Sequence, residues 1–306
     1  WTSYGELARL IGSHPVPVGT YLARTALPHA HRVLQAGGTV SPSFRWADVH
    51  RTDDPHDVLA AEGVRFSEDG RADGGQRLLA EQGLASTVIQ DGVHVEEFLP
   101  RPAAELRRKL GLEGVLTVGI LGSSIWSERL QVAVGWELVE LMRLLKGRPV
   151  KGVLIGDGSG VPHLRERCRR YGIEEQVRFI DRVPYASVPE YLGALDVVLS
   201  TQSNDVVGQV RTTGKLPLYM ANGRFILATD VGEASLVLPG EMRVPYEGVV
   251  DSTYPSRLAE RVEGLLARPE RLRAGEALVG VARERFDYTV LATRVRDVLQ
   301  RVMRAR

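Results

Sequence analysis

The chain has 306 residues, more than one typical domain, and its 43% hydrophobic and 25% charged residues are ordinary for a globular protein. A formal charge of +1 supplies no global attraction to nucleic acid, and the single cysteine, Cys168, excludes an internal disulfide and fits a reducing compartment. No apolar run approaches the roughly 20 residues needed to cross a bilayer. The chain begins at Trp1 and not at Met, so a missing signal peptide carries no weight.

Residues 1 to about 110 hold few regular elements. "TYLARTALPHAHRVLQAGG" predicts a helix ended by Gly37 and Gly38 and interrupted at Pro28. "VHRTDDPHD" and "FSEDGRADGGQ" read as loops, and "STVIQDGV" as a strand and a turn. Six of the seven histidines lie here: His14, His29, His31, His50, His56 and His94. His29 and His31, two apart, would face one way on a strand, but metal ligation needs further partners that the spacing does not reveal. All six are read as loop or surface residues.

From Val115 onward strands and helices alternate. "VLTVGIL" is a buried strand, and "ERLQVAVGWELVELMRLLK" a helix with Val134, Leu138, Leu141 and Leu145 on one face. "VKGVLIGDG" follows, then the Arg-rich helix "HLRERCRRYG" with Gly172 as its stop. "QVRFI", the helix "SVPEYLGAL", "DVVLS", a helix over Lys215–Met220, a strand over Phe225–Ala228 and "MRVPY" continue the pattern, closed by helices carrying Leu258, Val262 and Leu265. Such alternation implies a doubly wound parallel sheet, with ligands beyond the carboxyl ends of its strands. That rule gathers "GSSIW", "GDGSG", "DRVPY", "STQSND" and "TDVGEAS" on one rim. No G-x-G-x-x-G follows the first strand, which ranks an NAD enzyme low.

In "STVIQDGVHVEEFLPRPAAELRRKLGL" the residues Val88, Ile89, Gly92, Val93, Phe98, Pro100, Leu106, Arg107 and "KLGL" resemble the interdomain segment of the family-4 retaining glycosyltransferases. "VLIGDGSG", "VRFIDRVPYASVPEYLGALDVVLS" and "GKLPLYMANGRFILATDVGE" follow in that family's order, so the resemblance covers about residues 86–306. It implies an α/β GT-B architecture of two Rossmann-type domains with doubly wound parallel sheets, the N-terminal one incomplete. The expected divisions are a partial acceptor-side domain over 1–110, a nucleotide-sugar domain over 111–285, and a helix over 286–306 packing back toward the first domain.

The function implied is that of a hexosyltransferase-type enzyme moving a sugar from a UDP- or GDP-linked donor to an acceptor hydroxyl, with retention and without a metal or other cofactor. A leaving nucleoside diphosphate needs positive charge and N–H donors aimed at its oxygens. No Asp-x-Asp pair stands ready to hold an ion, whereas "VRTTGK" supplies Arg211 and Lys215 as cations and Thr212, Thr213 and Gly214 as donors at a helix start. The family's second phosphate clamp, near "G-R-----KG", corresponds to "LGSSIWSERLQ": Gly122 is kept, Ser123 replaces the Arg, and Arg129 stands in for the Lys. Asp157 in "GDGSG" and Val183 in "DRVPY" would approach the base or ribose, the glycines allowing close backbone approach. Two glutamates eight positions apart usually flank the phosphate helix in that family; Val210 and Leu218 stand there instead, and Asp205 or Glu233 would have to replace them. That departure keeps open an alternative, a non-catalytic scaffold or regulatory subunit. The acceptor is a carbohydrate, a lipid-linked sugar or a small molecule; nucleic acid is not a partner. The expected location is cytoplasmic, with peripheral contact at the inner membrane face left open.

Overall fold

The structure is a computed structural model that describes residues 1–10, 13–24, 27, 29–46, 48, 50–79 and 88–304. Pro28, Ser86 and Thr87, on which two of the expectations above fall, lie outside the described residues. The chain divides into two units, Trp1–Thr87 and Val88–Arg306, so the division falls ahead of the boundary expected near residue 110.

In the first unit β1 (Thr2–Ser3) and β2 (Val33–Leu34) pair in parallel, and this is its only named sheet among the described residues. Helices α1 (Tyr4–Leu10), α2 (Pro15–Arg24) and α3 (Pro55–Ala61) accompany it. The helix expected across residues 20–38 is instead the end of α2, a 3-10 turn at Ala30–Arg32, and β2. Asp54 caps α3 by accepting from the His56 amide at 2.7 Å, with Pro55 preset in the first turn. A small core of Leu34, Leu59 and Ala72, flanked by Trp1, Val40, Val64 and Phe66, holds the unit together.

The second unit is built on six parallel strands: β3 (Leu116–Leu121), β6 (Val150–Ile155), β7 (Val177–Ile180), β8 (Val197–Ser200), β9 (Phe225–Thr229) and β10 (Arg243–Val244). Their spatial order, β10-β9-β8-β3-β6-β7, reverses direction between β3 and β8, the arrangement of a doubly wound sheet. All six predicted strands are present. The residues of the four inner strands, β3, β6, β8 and β9, are almost all buried, as a sheet covered on both faces requires, whereas the edge strands β7 and β10 are partly exposed. The covering helices are α6 (Trp136–Leu144), α7 (Val161–Tyr171), α8 (Val188–Gly193), α9 (Val206–Val210), α10 (Lys215–Ala221), α11 (Glu233–Val237), α12 (Tyr254–Ala267), α13 (Leu278–Arg285) and α14 (Tyr288–Arg304).

One predicted helix starts eight residues late. "WSERLQVA" forms an antiparallel hairpin, β4 (Trp126–Ser127) with β5 (Val132–Ala133), and α6 begins only after Gly135. Val134, expected on the buried face, is 46% exposed, whereas Leu138 and Leu141 are buried. The alternation of polar and apolar residues over four positions is compatible with either element, and the Gly135 break decides between them.

The segment from Val88 to Leu110 packs onto the second unit. Short helices α4 (Val95–Phe98) and α5 (Ala104–Leu110) lie here. The Val93 amide donates to Phe286 O at 2.9 Å, and the Tyr288 amide to Val93 O at 3.2 Å, so the start of α14 is stitched to this segment. Arg107 on α5 is the main clamp. Its Nη1 donates to both Asp196 carboxylate oxygens at 3.1 Å and to Ala194 O at 2.9 Å, and its Nη2 donates to Leu112 O and Val115 O at 3.0 Å. Asp196 Oδ2 in turn accepts from the Thr117 amide and hydroxyl at 2.8 Å. One guanidinium thus ties α5 to the starts of β3 and β8, which explains the Arg in "LRRKLGL".

A lysine cannot present that planar set of donors. Arg107→Lys is expected to lower stability by about 1.5–3 kcal/mol, the scale of hydrogen bonds to charged groups. Urea unfolding checks this, and a loss below about 0.5 kcal/mol would contradict the clamp.

Candidate functional site

The strand order reverses between β3 and β8, so their loops diverge and leave a crevice at the carboxyl edge. The loop after β3 runs against the loop after β6 as though the ladder continued past the strand ends. The Gly122 amide donates to Ile155 O at 2.9 Å, and the Ser124 amide to Asp157 O at 2.8 Å. Gly156 (φ 138°) and Gly158 (φ 134°) make this possible, because a Cβ on either would stand 2.2 Å from a carbonyl oxygen of Gly122 or Ser124. The glycines of "GDGSG" are therefore required by the neighbouring loop.

Next to these loops, at the carboxyl edge, lies a cavity of about 210 Å³ lined by Gly122, Ser123, Gly156, Asp157, Arg182 and Val183. Four of the sequence-derived candidates, Gly122, Ser123, Asp157 and Val183, thus share one cavity. Arg182 was missed, although a cation inside a rim motif is a signal the sequence carried.

Lys215 opens α10 and reaches the same loop. A Cβ placed on Gly122 would stand 3.7 Å from Lys215 Cδ and 4.0 Å from its Nζ. Glu137 and Arg211 both act on it electrostatically. Burial pushes the ammonium pKa down, the Glu137 charge pushes it up, and Arg211 pushes it down. Thr213 is buried, and its hydroxyl has no hydrogen-bond partner among the described residues. Thr212 is half-buried and Arg211 exposed. Gly214 is less open than its place at a helix start suggests, because a Cβ there would lie 2.8 Å from Asp91 Oδ2. With α10 only seven residues long, the cationic side chains outweigh its backbone amides.

The remaining candidates separate from this group. The Asp205 carboxylate caps α9, accepting from the Gly208 amide at 2.9 Å and the Ser203 hydroxyl at 3.0 Å. Those bonds hold its pKa down, the Gly208 amide contributing most. Glu233 opens α11, half-buried, after Gly232. Arg129 stands exposed in the turn between β4 and β5. Val210 is 79% exposed and Leu218 half-buried, so neither position offers a carboxylate. Trp126 stacks on His163 with centroids 3.9 Å apart, and Trp136 is buried, so both are packing residues.

A polar layer that the sequence did not reveal accompanies Lys215. Glu137, in the first turn of α6, is 6% exposed. Burial is the main cause that pushes its carboxyl up to about 7, with backbone amides and Lys215 pulling the other way. Its charge also reaches Tyr246 and Tyr254, whose rings meet edge to face at 4.9 Å and whose hydroxyls burial makes weaker acids. Tyr219, also fully buried, accepts from the Leu121 amide at 2.8 Å and so anchors the end of β3 to α10.

A sequence model of the group 1 glycosyl transferases matches residues 117–268, which contain all six strands but the first residue of β3. Among curated proteins, a D-inositol 3-phosphate glycosyltransferase of Segniliparus rotundus is 28% identical over 315 aligned positions, covering 90% of this chain and 66% of the relative. One of the same name from Kribbella flavida is 25% identical over 194 positions, covering 60% of this chain and 46% of the relative. The chain thus spans about half to two thirds of the length of the curated relatives it matches. Among solved structures, Anabaena HepE in complex with UDP and glucose superposes with a TM-score of 0.59 at 18% identity, over 72% of this chain and 57% of that one. The fold is accordingly α/β and GT-B-like, with a complete second Rossmann-type sheet and an incomplete first one.

Because the folded state holds the Glu137 proton up to about 7, against an ordinary value of 4.5, it binds more protons than the unfolded chain between those values. Stability should fall as pH rises through that window, by about 3 kcal/mol in all. Glu137→Gln removes the titration. The variant should match the wild type near the lower end of the window and exceed it in urea midpoint at pH 8. Parallel midpoints at both pH values would contradict the buried carboxyl.

Proposed function

We propose that this chain is a glycosyltransferase that moves a hexosyl group from a nucleotide-diphosphate sugar, UDP- or GDP-linked, to an acceptor hydroxyl, with retention and without a metal ion. The observation that carries this reading is the approach of the Lys215 ammonium to the Gly122 loop, two segments some 90 residues apart that meet at the switch point of the sheet. A pyrophosphate between them would lie against the Ser123 side of the loop and against Lys215, with Arg211 adding charge from the rim. Asp91 beside Gly214 argues for a position nearer Gly122 and Ser123 than the α10 amides. The cavity at Asp157, Arg182 and Val183 suits the base and ribose. Support for the donor class comes from HepE, whose structures carry UDP and UDP-glucose, and for sugar transfer from the D-inositol 3-phosphate glycosyltransferases.

In the reaction proposed, the bond between the sugar anomeric carbon and the phosphate oxygen breaks while the acceptor oxygen attacks from the same face. The acceptor proton passes to the departing phosphate oxygen. Lys215 and Arg211 stabilise the charge that grows there, and Glu233, at the start of α11, is assigned to a sugar hydroxyl. The acceptor is assigned to the first unit by the resemblance. No helix among the described residues is long and apolar enough to cross a membrane. A cytoplasmic location is part of this proposal and rests on the single cysteine, Cys168.

A second reading, a non-catalytic scaffold, draws on Val210 and Leu218. With no carboxylate at either position, the usual two-glutamate contact to donor cannot form, whatever else binds.

Calorimetry with UDP and GDP tests the first reading. Lys215→Ala should weaken nucleoside-diphosphate binding at least tenfold, as expected for loss of a charge-assisted hydrogen bond of about 1.5–3 kcal/mol. Unchanged affinity would refute the assignment. Release of nucleotide from a UDP- or GDP-sugar by the wild type separates an enzyme from a scaffold that binds without turnover.

A further inference from the structure

His29 and His31 lack a third partner in the sequence, and the fold of the first unit supplies one. Glu62, just past the end of α3, brings its Oε1 to 3.1 Å from His31 Nε2. A ring nitrogen of His29 completes the group, and the three donor atoms all lie within 4.8 Å of one another.

The surroundings hold these side chains in place. His31 is buried, and its ring lies 5.1 Å from that of Trp46. Arg32 grips the Glu62 carboxylate from the other side, Nε to Oε2 at 2.9 Å and Nη2 to Oε1 at 3.0 Å. His29 adopts a left-handed backbone conformation at φ 66°, uncommon for a residue with a side chain, and its ring centroid lies 6.0 Å from that of His31.

Two imidazoles and a carboxylate are the donor set that suits zinc and its neighbours in the first transition row. A tetrahedral zinc ion with ligands at about 2.0–2.1 Å sets those ligands a little over 3 Å apart. The His31–Glu62 pair already has that separation, and His29 needs to close by an ångström or so. We propose that His29, His31 and Glu62 form a binding site for a divalent transition-metal ion of the zinc type, with a fourth position taken by water. Arg32 is then the outer partner that orients the carboxylate, and its own charge keeps affinity moderate. The ion would fasten the 3-10 turn at Ala30–Arg32 to the end of α3. It takes no part in the donor chemistry described above.

The test uses the full chain, stripped with a chelator and dialysed. Titration with zinc chloride by calorimetry should show one saturable equivalent, and cobalt(II) in its place should give the intense visible bands of a four-coordinate site. His29→Ala removes an exposed ligand without touching the core and should weaken zinc at least tenfold with an unchanged circular dichroism spectrum. Glu62→Gln should do the same, whereas His56→Ala should leave binding as in the wild type. Absence of saturable uptake by the wild type, or affinity in His29→Ala and Glu62→Gln equal to the wild type, would overturn the site.

Discussion

The continuation of hydrogen bonding beyond the ends of β3 and β6 is the constraint on which the rest of the site depends. Two loops that would otherwise splay apart are drawn together by amide-to-carbonyl bonds from Gly122 and Ser124. The contact is so close that only glycine fits at Gly156 and Gly158. Once that is done, the loop after β3 is held as a rigid floor, and Lys215 has a fixed surface to meet. A flexible loop would have to be ordered by each ligand; this one is ordered by its neighbour before any ligand arrives.

Charge at this floor is arranged against solvation. Lys215 is pushed toward neutrality by burial, and Glu137 opposes that from beneath while its own carboxyl is pushed up. An arriving polyanion would offer Lys215 the opposite charge that the protein only partly provides. A cation poorly compensated in the resting protein is a stronger ligand for phosphate than one already satisfied by a surface salt bridge. Asp205, by contrast, is partnered within the protein. Its carboxylate is already committed to the Gly208 amide and the Ser203 hydroxyl.

The two units differ in how they are stabilised. The second has a continuous apolar core spanning both faces of its sheet. The first has a core of three buried residues and relies on polar fastenings, including the Arg32–Glu62–His31 group. A small unit with little apolar burial is where a metal ion contributes most to stability.

Local pattern by itself determined the six strands, the Gly172 stop of α7 and the membership of the rim, because strand period, helix stops and the alternation of elements are written in neighbouring residues. It also predicted that a helix begins at Lys215. It misplaced the start of α6, since four alternating residues suit a hairpin as well as a helix until Gly135 is seen to break the chain. What only the tertiary structure decided was which distant groups come together: Glu137 within electrostatic reach of Lys215, Asp91 against Gly214, and Glu62 beside His31. Burial and charge pairing arise from segments that touch after folding, and no local spacing records them.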